Sequence, residues 1–181
     1  MKHAVAVLSL FMSTTPAWSQ IAIAWNNQFG AHNAHGVAVN STHVYAAGSV
    51  TGALTSADGT ALSSAGGVDA YLRKFDLNGV EIWTRQFGGS GLDVARGVAV
   101  DAYGVFVVGA VNGGVAGGFN AIVRKYDLSG YLIWEDVFGT PGDDVAYAVV
   151  AYSGVLYVCR QAEGVWPGNS NSLISWHFVT R

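Results

Sequence analysis

The side chains best suited to chemistry follow the recurring Phe-Gly pairs Phe29-Gly30, Phe87-Gly88 and Phe138-Gly139. After the first come His32 and His35 (AHNAHG, 31–36), after the second Asp93 (GSGLDVARG, 89–97), and after the third Asp143 and Asp144 (TPGDDVAYA, 140–148). These stretches fall at equivalent places in the chain, so they are expected to crowd one end of the molecule and to offer a ligand or cation site. Carboxylates and carbonyls suit Ca2+, but a dedicated site takes about six to eight oxygens in a shaped loop, more than these stretches supply. His32 and His35 have a spacing seen in metal sites, with no third ligand nearby. Turn chemistry accounts for the same residues, because Asp side chains accept backbone N–H groups where a chain reverses. Trp166, in the loop 161–171, joins them as a ligand-loop candidate.

The segments that must position these residues repeat. Residues 69–88, DAYLRKFDLNGVEIWTRQFG, return without gaps as residues 120–139, NAIVRKYDLSGYLIWEDVFG, and the end of the unit appears earlier as WNNQFG, 25–30. A repeat at this period defines an architecture before any single residue does. Asp76-Leu77-Asn78-Gly79 and Asp127-Leu128-Ser129-Gly130 carry the Asp-first, Gly-fourth signature of a type I turn. The runs on either side are β-prone, and alternation puts Trp83, Arg85 and Phe87 on one face, as it does Trp134, Asp136 and Phe138. The repeated Trp and Phe read as packing anchors.

Each cycle adds two more short strands. GVAVN (36–40) and VYAAGSV (44–50) precede the first copy, GVAVD (97–101) and VFVVGAV (105–111) the second, and residues 146–151 and 155–160 open a third. Residues 51–68 form a Gly/Ala/Ser/Thr segment expected to be a loop with no core of its own. The cycles span about 36–88, 97–139 and 146–178, with a lone strand at 21–29. The fold class is therefore all-β: β-propeller-type repeats of four-stranded antiparallel blades, two complete and one partial, the last open to closure by the N-terminal strand.

The motif order GVAVD, VFVVG, AIVRKYDLSG, I-W…F-G resembles the SBBP-type β-propeller repeat family of exported proteins. The resemblance covers about residues 25–160. It implies the propeller fold and no catalytic residues, since the family shares none. Residues 56–60, SADGT, resemble the Asp box of sialidase propellers but lack its spacing and its aromatic. Asp76…Gly79…Trp83 and its copy resemble the tryptophan-docking repeats of quinoproteins, where such residues lock blades together.

Composition narrows the partners. Half the residues are hydrophobic (51%), only 12% are charged and 24 are glycine, which suits short buried strands and tight turns. With a formal net charge of -3 and no Lys/Arg cluster, the chain lacks the electrostatic footprint of a nucleic-acid binder. Arg73-Lys74 and Arg124-Lys125 split across opposite strand faces. No G-x-S-x-G or H-E-x-x-H is present, although a triad assembled from distant positions leaves no such motif. Asn40-Ser41-Thr42 is a glycosylation sequon. Cys159 is the single cysteine and aligns with Gly48 and Gly109, as a buried thiol.

Residues 1–19 read as a signal peptide: Lys2 and His3, an apolar stretch too short to span a bilayer, and Ala17-Trp18-Ser19 before a cut. That leaves 20–181 as one repeat domain, secreted or periplasmic. The expected function is a non-enzymatic binding module for a protein or glycan. A propeller enzyme, hydrolase or quinoprotein-like, and a truncated piece of a longer propeller are the alternatives. Because propellers typically hold about four to eight blades, a homo-oligomer completing the ring is a further expectation.

Overall fold

The computed structural model describes residues 32–113, 118–153 and 155–163, and the backbone of 175–179. The signal-peptide and lone-strand expectations at 1–19 and 21–29, closure by that strand, and Trp166 lie outside these residues. The described residues are all β: β1 (His32–Val39), β2 (His43–Thr51), β3 (Val68–Asp76), β4 (Glu81–Phe87), β5 (Val94–Asp101), β6 (Gly104–Asn112), β7 (Phe119–Tyr126), β8 (Leu132–Phe138), β9 (Asp144–Tyr152), β10 (Val155–Ala162) and β11 (Ser175–Val179). They pair as antiparallel meanders, β1-β2-β3-β4, β5-β6-β7-β8 and β9-β10-β11. These are three propeller-like blades, and no ring is closed among the described residues.

The repeated turns work as their sequence dictates. Asp76 Oδ1 accepts the N–H groups of Asn78 and Val80, and Asp127 Oδ1 those of Ser129 and Tyr131. Gly79 and Gly130 hold φ values of 83° and 88°, which a residue with a β-carbon adopts only with strain.

Strand alternation then sorts side chains onto two faces. Tyr45, Ala47, Ala70, Leu72, Trp83 and Phe87 of the first blade pack against Ala95, Val98, Val105, Val107 and Ile122 of the second. The second blade offers Ala99, Phe106, Val108, Ala121 and Val123, with Trp134 and Phe138, to Ala146, Val149, Leu156 and Val158 of the third. Trailing face meets leading face twice, with the same repeat positions each time. Arg73 and Lys74 split as alternation requires: Arg73 pairs with Glu81, while Lys74 Nζ reaches across to the Leu128 carbonyl.

Three expectations change. The segment 51–68 does bury side chains of its own, since Leu54 and Leu62 pack with Val50 and Tyr71 and a bridge joins Thr55 to Ala61. His32 and His35 stand within strand β1, not in a loop, because the pairing with β2 runs back to His32–Val50. Cys159 pairs with Ala148, as Val108 pairs with Gly97 and Ala47 with Gly36, so it matches Ala47 and Val108, and Arg160 takes the place of Gly48 and Gly109. The preceding turns are equally long, Asp101 pairing with Gly104 and Tyr152 with Val155, so Val155 stands where Gly104 does and the later residues of β10 shift by one against the sequence alignment.

Candidate functional site

Antiparallel meanders bring the connections after β2, β4, β6 and β8 to one end of the stack, and the aspartates there turn inward. Asp93 is wholly buried, with Oδ2 accepting the Gly89 N–H at 2.6 Å and Oδ1 the Asn112 N–H at 3.0 Å. Asp144, also wholly buried, repeats the clasp four residues back: its Oδ2 accepts the Thr140 N–H at 2.5 Å and the Thr140 hydroxyl at 2.9 Å. Burial pushes the Asp93 carboxyl up, the N–H groups of Gly89 and Asn112 oppose this, and the nearby Asp69 adds to the rise. Asp143 is used differently, accepting the Phe119 N–H at 2.9 Å, while its backbone carbonyl accepts the Glu163 N–H. The Asp93 and Asp143 carboxylates thus stitch one connection to another, while Asp144 closes its own.

Asp93 also lines a cavity of about 440 Å³ between the first two blades, with Val111, Ile122, Arg124, Glu135 and Val137. Arg124 is ion-paired with Glu135 and lies 4.0 Å over the Phe87 ring. The polar groups of the cavity are thus already engaged with the protein.

The two histidines diverge. His32 turns to the leading face of its blade, edge-on to Tyr71, and its buried Nδ1 has no hydrogen-bond partner among the described residues. His35 turns to the trailing face, with Nε2 3.3 Å from Ser49 Oγ. Burial lowers the pKa of both, helped by Arg73 at His32 and by Arg96 at His35. Among the described residues, no three His, Cys, Asp or Glu side chains gather as metal ligands would.

A different constellation emerges on the innermost strands. β1, β5 and β9 each carry a bulge, where one residue falls out of the ladder: His35 between Ala34 and Gly36, Arg96 between Ala95 and Gly97, Tyr147 between Ala146 and Ala148. A bulge re-aims a side chain away from the regular alternation and is often found beside functional sites. The backbones approach closely here: a β-carbon on Gly97 would lie 3.1 Å from the Tyr147 carbonyl oxygen. The three bulge side chains therefore form a row along the inner edge of the stack. Arg96 reaches toward Tyr147, its guanidinium carbon 6.0 Å from the ring centroid, and the Tyr147 hydroxyl is 3.1 Å from Gln161 Oε1.

Between β1 and β5 the row opens into a cleft of about 270 Å³ lined by Asn33, His35, Ser49, Thr51 and Arg96. Arg96 is exposed, and the ion pairs among the described residues, Arg73–Glu81 and Arg124–Glu135, leave it without a carboxylate. A guanidinium so placed can take a carboxylate through two parallel N–H donors, with a neutral imidazole and a phenol ring on either side. Of the sequence candidates only His35 belongs to this row. The signal for the others lay in the triplets Ala34-His35-Gly36, Ala95-Arg96-Gly97 and Ala146-Tyr147-Ala148, which share small flanks around a changing centre. No family model and no curated protein matches this chain.

Proposed function

We propose that the protein is a non-catalytic binding module of the SBBP-like repeat type, exported as residues 1–19 suggest, that takes a carboxylate-bearing protein or glycan along the His35–Arg96–Tyr147 row. One observation carries this reading: a common bulge presents a different polar side chain on each blade, and the middle one is an exposed guanidinium with no acid beside it among the described residues. A rigid scaffold with variable residues at fixed positions is how recognition surfaces are commonly built. The test is calorimetric titration of wild type and Arg96→Ala with acidic oligosaccharides, neutral oligosaccharides and acidic peptides. Binding of an acidic ligand that Arg96→Ala abolishes supports the reading. Binding unchanged in Arg96→Ala, or confined to neutral ligands, overturns it.

A hydrolase reading draws on the cavity where Asp93, with its raised pKa, faces Glu135. It is the weaker of the two, because Asp144 makes the same clasp and marks the carboxylate as part of the repeat's architecture. Substrate turnover by wild type that Asp93→Asn abolishes without unfolding would reverse this order.

A further inference from the structure

Two faces of the stack carry the residues of a blade junction with no blade against them among the described residues. In both junctions within the chain, the trailing face presents an aromatic on the second strand: Tyr45, 0% exposed, and Phe106, 2% exposed. The matching residue of the third blade is Tyr157, and it is 38% exposed. Its neighbour Val150 stands where Ala99 is 8% exposed in the second blade, yet Val150 is 61% exposed. At the opposite end, Val37 of the first blade matches Val98 and Val149, which are 7% and 9% exposed, whereas Val37 is 71% exposed. Val39, beside it, matches the junction residues Val100 and Ala151 and is exposed as well. Ladder register supplies these equivalences, since Val37 pairs with Ala46, Val98 with Val107 and Val149 with Val158.

We infer that the leading face of the first blade docks on the trailing face of the third blade of a second copy of this chain. The occupant follows from the chain's own chemistry. The exposed trailing residues are of the kind that Val98, Val105 and Val107 already cover inside the molecule, and the exposed leading residues are of the kind that already cover Tyr45 and Phe106. The contact continues an interface used twice within each chain. Such a head-to-tail contact either closes into a ring or runs on as a filament. Two copies joined at both ends place six blades in one ring, within the usual range of about four to eight. Exposed apolar faces of this kind mark association surfaces.

The test uses the full mature chain and two single variants, Val37→Asp and Val150→Asp. Both positions are exposed, and a thermal melt confirms that each variant folds. Light scattering of wild type is expected to give the mass of two chains, and each variant alone the mass of one. Mixed together, the two variants are expected to return to two chains, because the first keeps its trailing face and the second its leading face. Cys159 lies on the trailing face and is the single thiol, so its alkylation is expected to slow in wild type and in the mixture, relative to either variant alone. Wild type that stays at one chain, variants that keep the wild-type mass, or a mixture that stays at one chain would each overturn the proposal. Rest on covering segments of the same chain is the outcome a one-chain wild type would indicate. Loss of ligand binding in Arg96→Ala leaves the mass unchanged, so this test and that of the binding row fail separately.

Discussion

The Arg96 guanidinium lies 6.0 Å from the Tyr147 ring centroid, and the two residues occupy the same bulge position on successive blades. Their meeting is a property of the repeat, because the strands that carry them, β5 and β9, are neighbours along the inner edge of the stack. An Arg resting near an aromatic face at an exposed site contributes only about 0.5 to 1 kcal/mol. The pairing therefore orients the guanidinium more than it holds the fold together.

Arg96→Ala is accordingly expected to lower unfolding free energy by no more than about 1 kcal/mol while removing carboxylate binding. Arg96→Lys keeps the charge but not the fork of donors, so affinity should fall and stability stay close to wild type. Denaturant unfolding and ligand titration of the two variants, side by side, check this. A large loss of stability in either would mean that Arg96 is a structural residue.

The aspartate clasps predict the reverse pattern. Asp93→Ala removes the acceptor of the Gly89 and Asn112 N–H groups, which water can partly reach, at a cost of about 0.5 to 1.5 kcal/mol for each hydrogen bond lost. Asp144→Ala strands the buried Thr140 N–H and hydroxyl and should cost more, about 1 to 3 kcal/mol for each group. Neither touches the bulge row, so ligand affinity of the folded variants should be retained. Equilibrium unfolding midpoints, with binding measured below the transition, separate these effects.

Much of this fold was legible in the chain. The Asp-Leu-x-Gly turns, the Trp and Phe anchors and the alternation in β3 and β4 are local patterns, and the structure uses each of them for the reason its spacing suggests. The bulges were not legible, because a bulge is a mismatch between two strands: nothing local to Ala95-Arg96-Gly97 states that Gly109 and Val108 skip a residue opposite it. The same applies to Cys159, whose alignment depends on Val155 being the residue that pairs with Tyr152. The aspartates were legible in part: turn chemistry already reads Asp93 and Asp144 as acceptors of backbone N–H groups, while the choice of the Gly89 and Thr140 N–H groups is set by the fold.

Burial of Asp93 gives stability a pH dependence of definite sign. Its folded pKa lies above the ordinary 3.8, so at pH values between the two the folded chain holds a proton that the unfolded chain has released. Stability from this group is therefore present below the ordinary value and is lost as pH rises through the raised one. Asp93→Asn removes the exchange, and the wild-type-minus-variant difference in unfolding free energy should decline across that window. Melts taken at steps from pH 3 upward check it; a difference that grows with pH would mean that the clasping N–H groups outweigh burial.

His35 sets the pH dependence of binding. Burial and the neighbouring Arg96 depress its pKa below 6.5, so the ring is neutral in the free protein at neutral pH. A bound carboxylate adds an opposite charge beside the ring and raises that pKa, which means binding takes up a proton. Affinity for an acidic ligand is therefore expected to strengthen as pH falls from 7 through the depressed value, and to level off once free and bound forms are both protonated. His35→Ala should bind with a flat profile over the same range, because the cleft then holds no group that titrates there. Titrations of wild type and His35→Ala at matched ionic strength decide it, since Arg96 alone would give a pH-independent affinity.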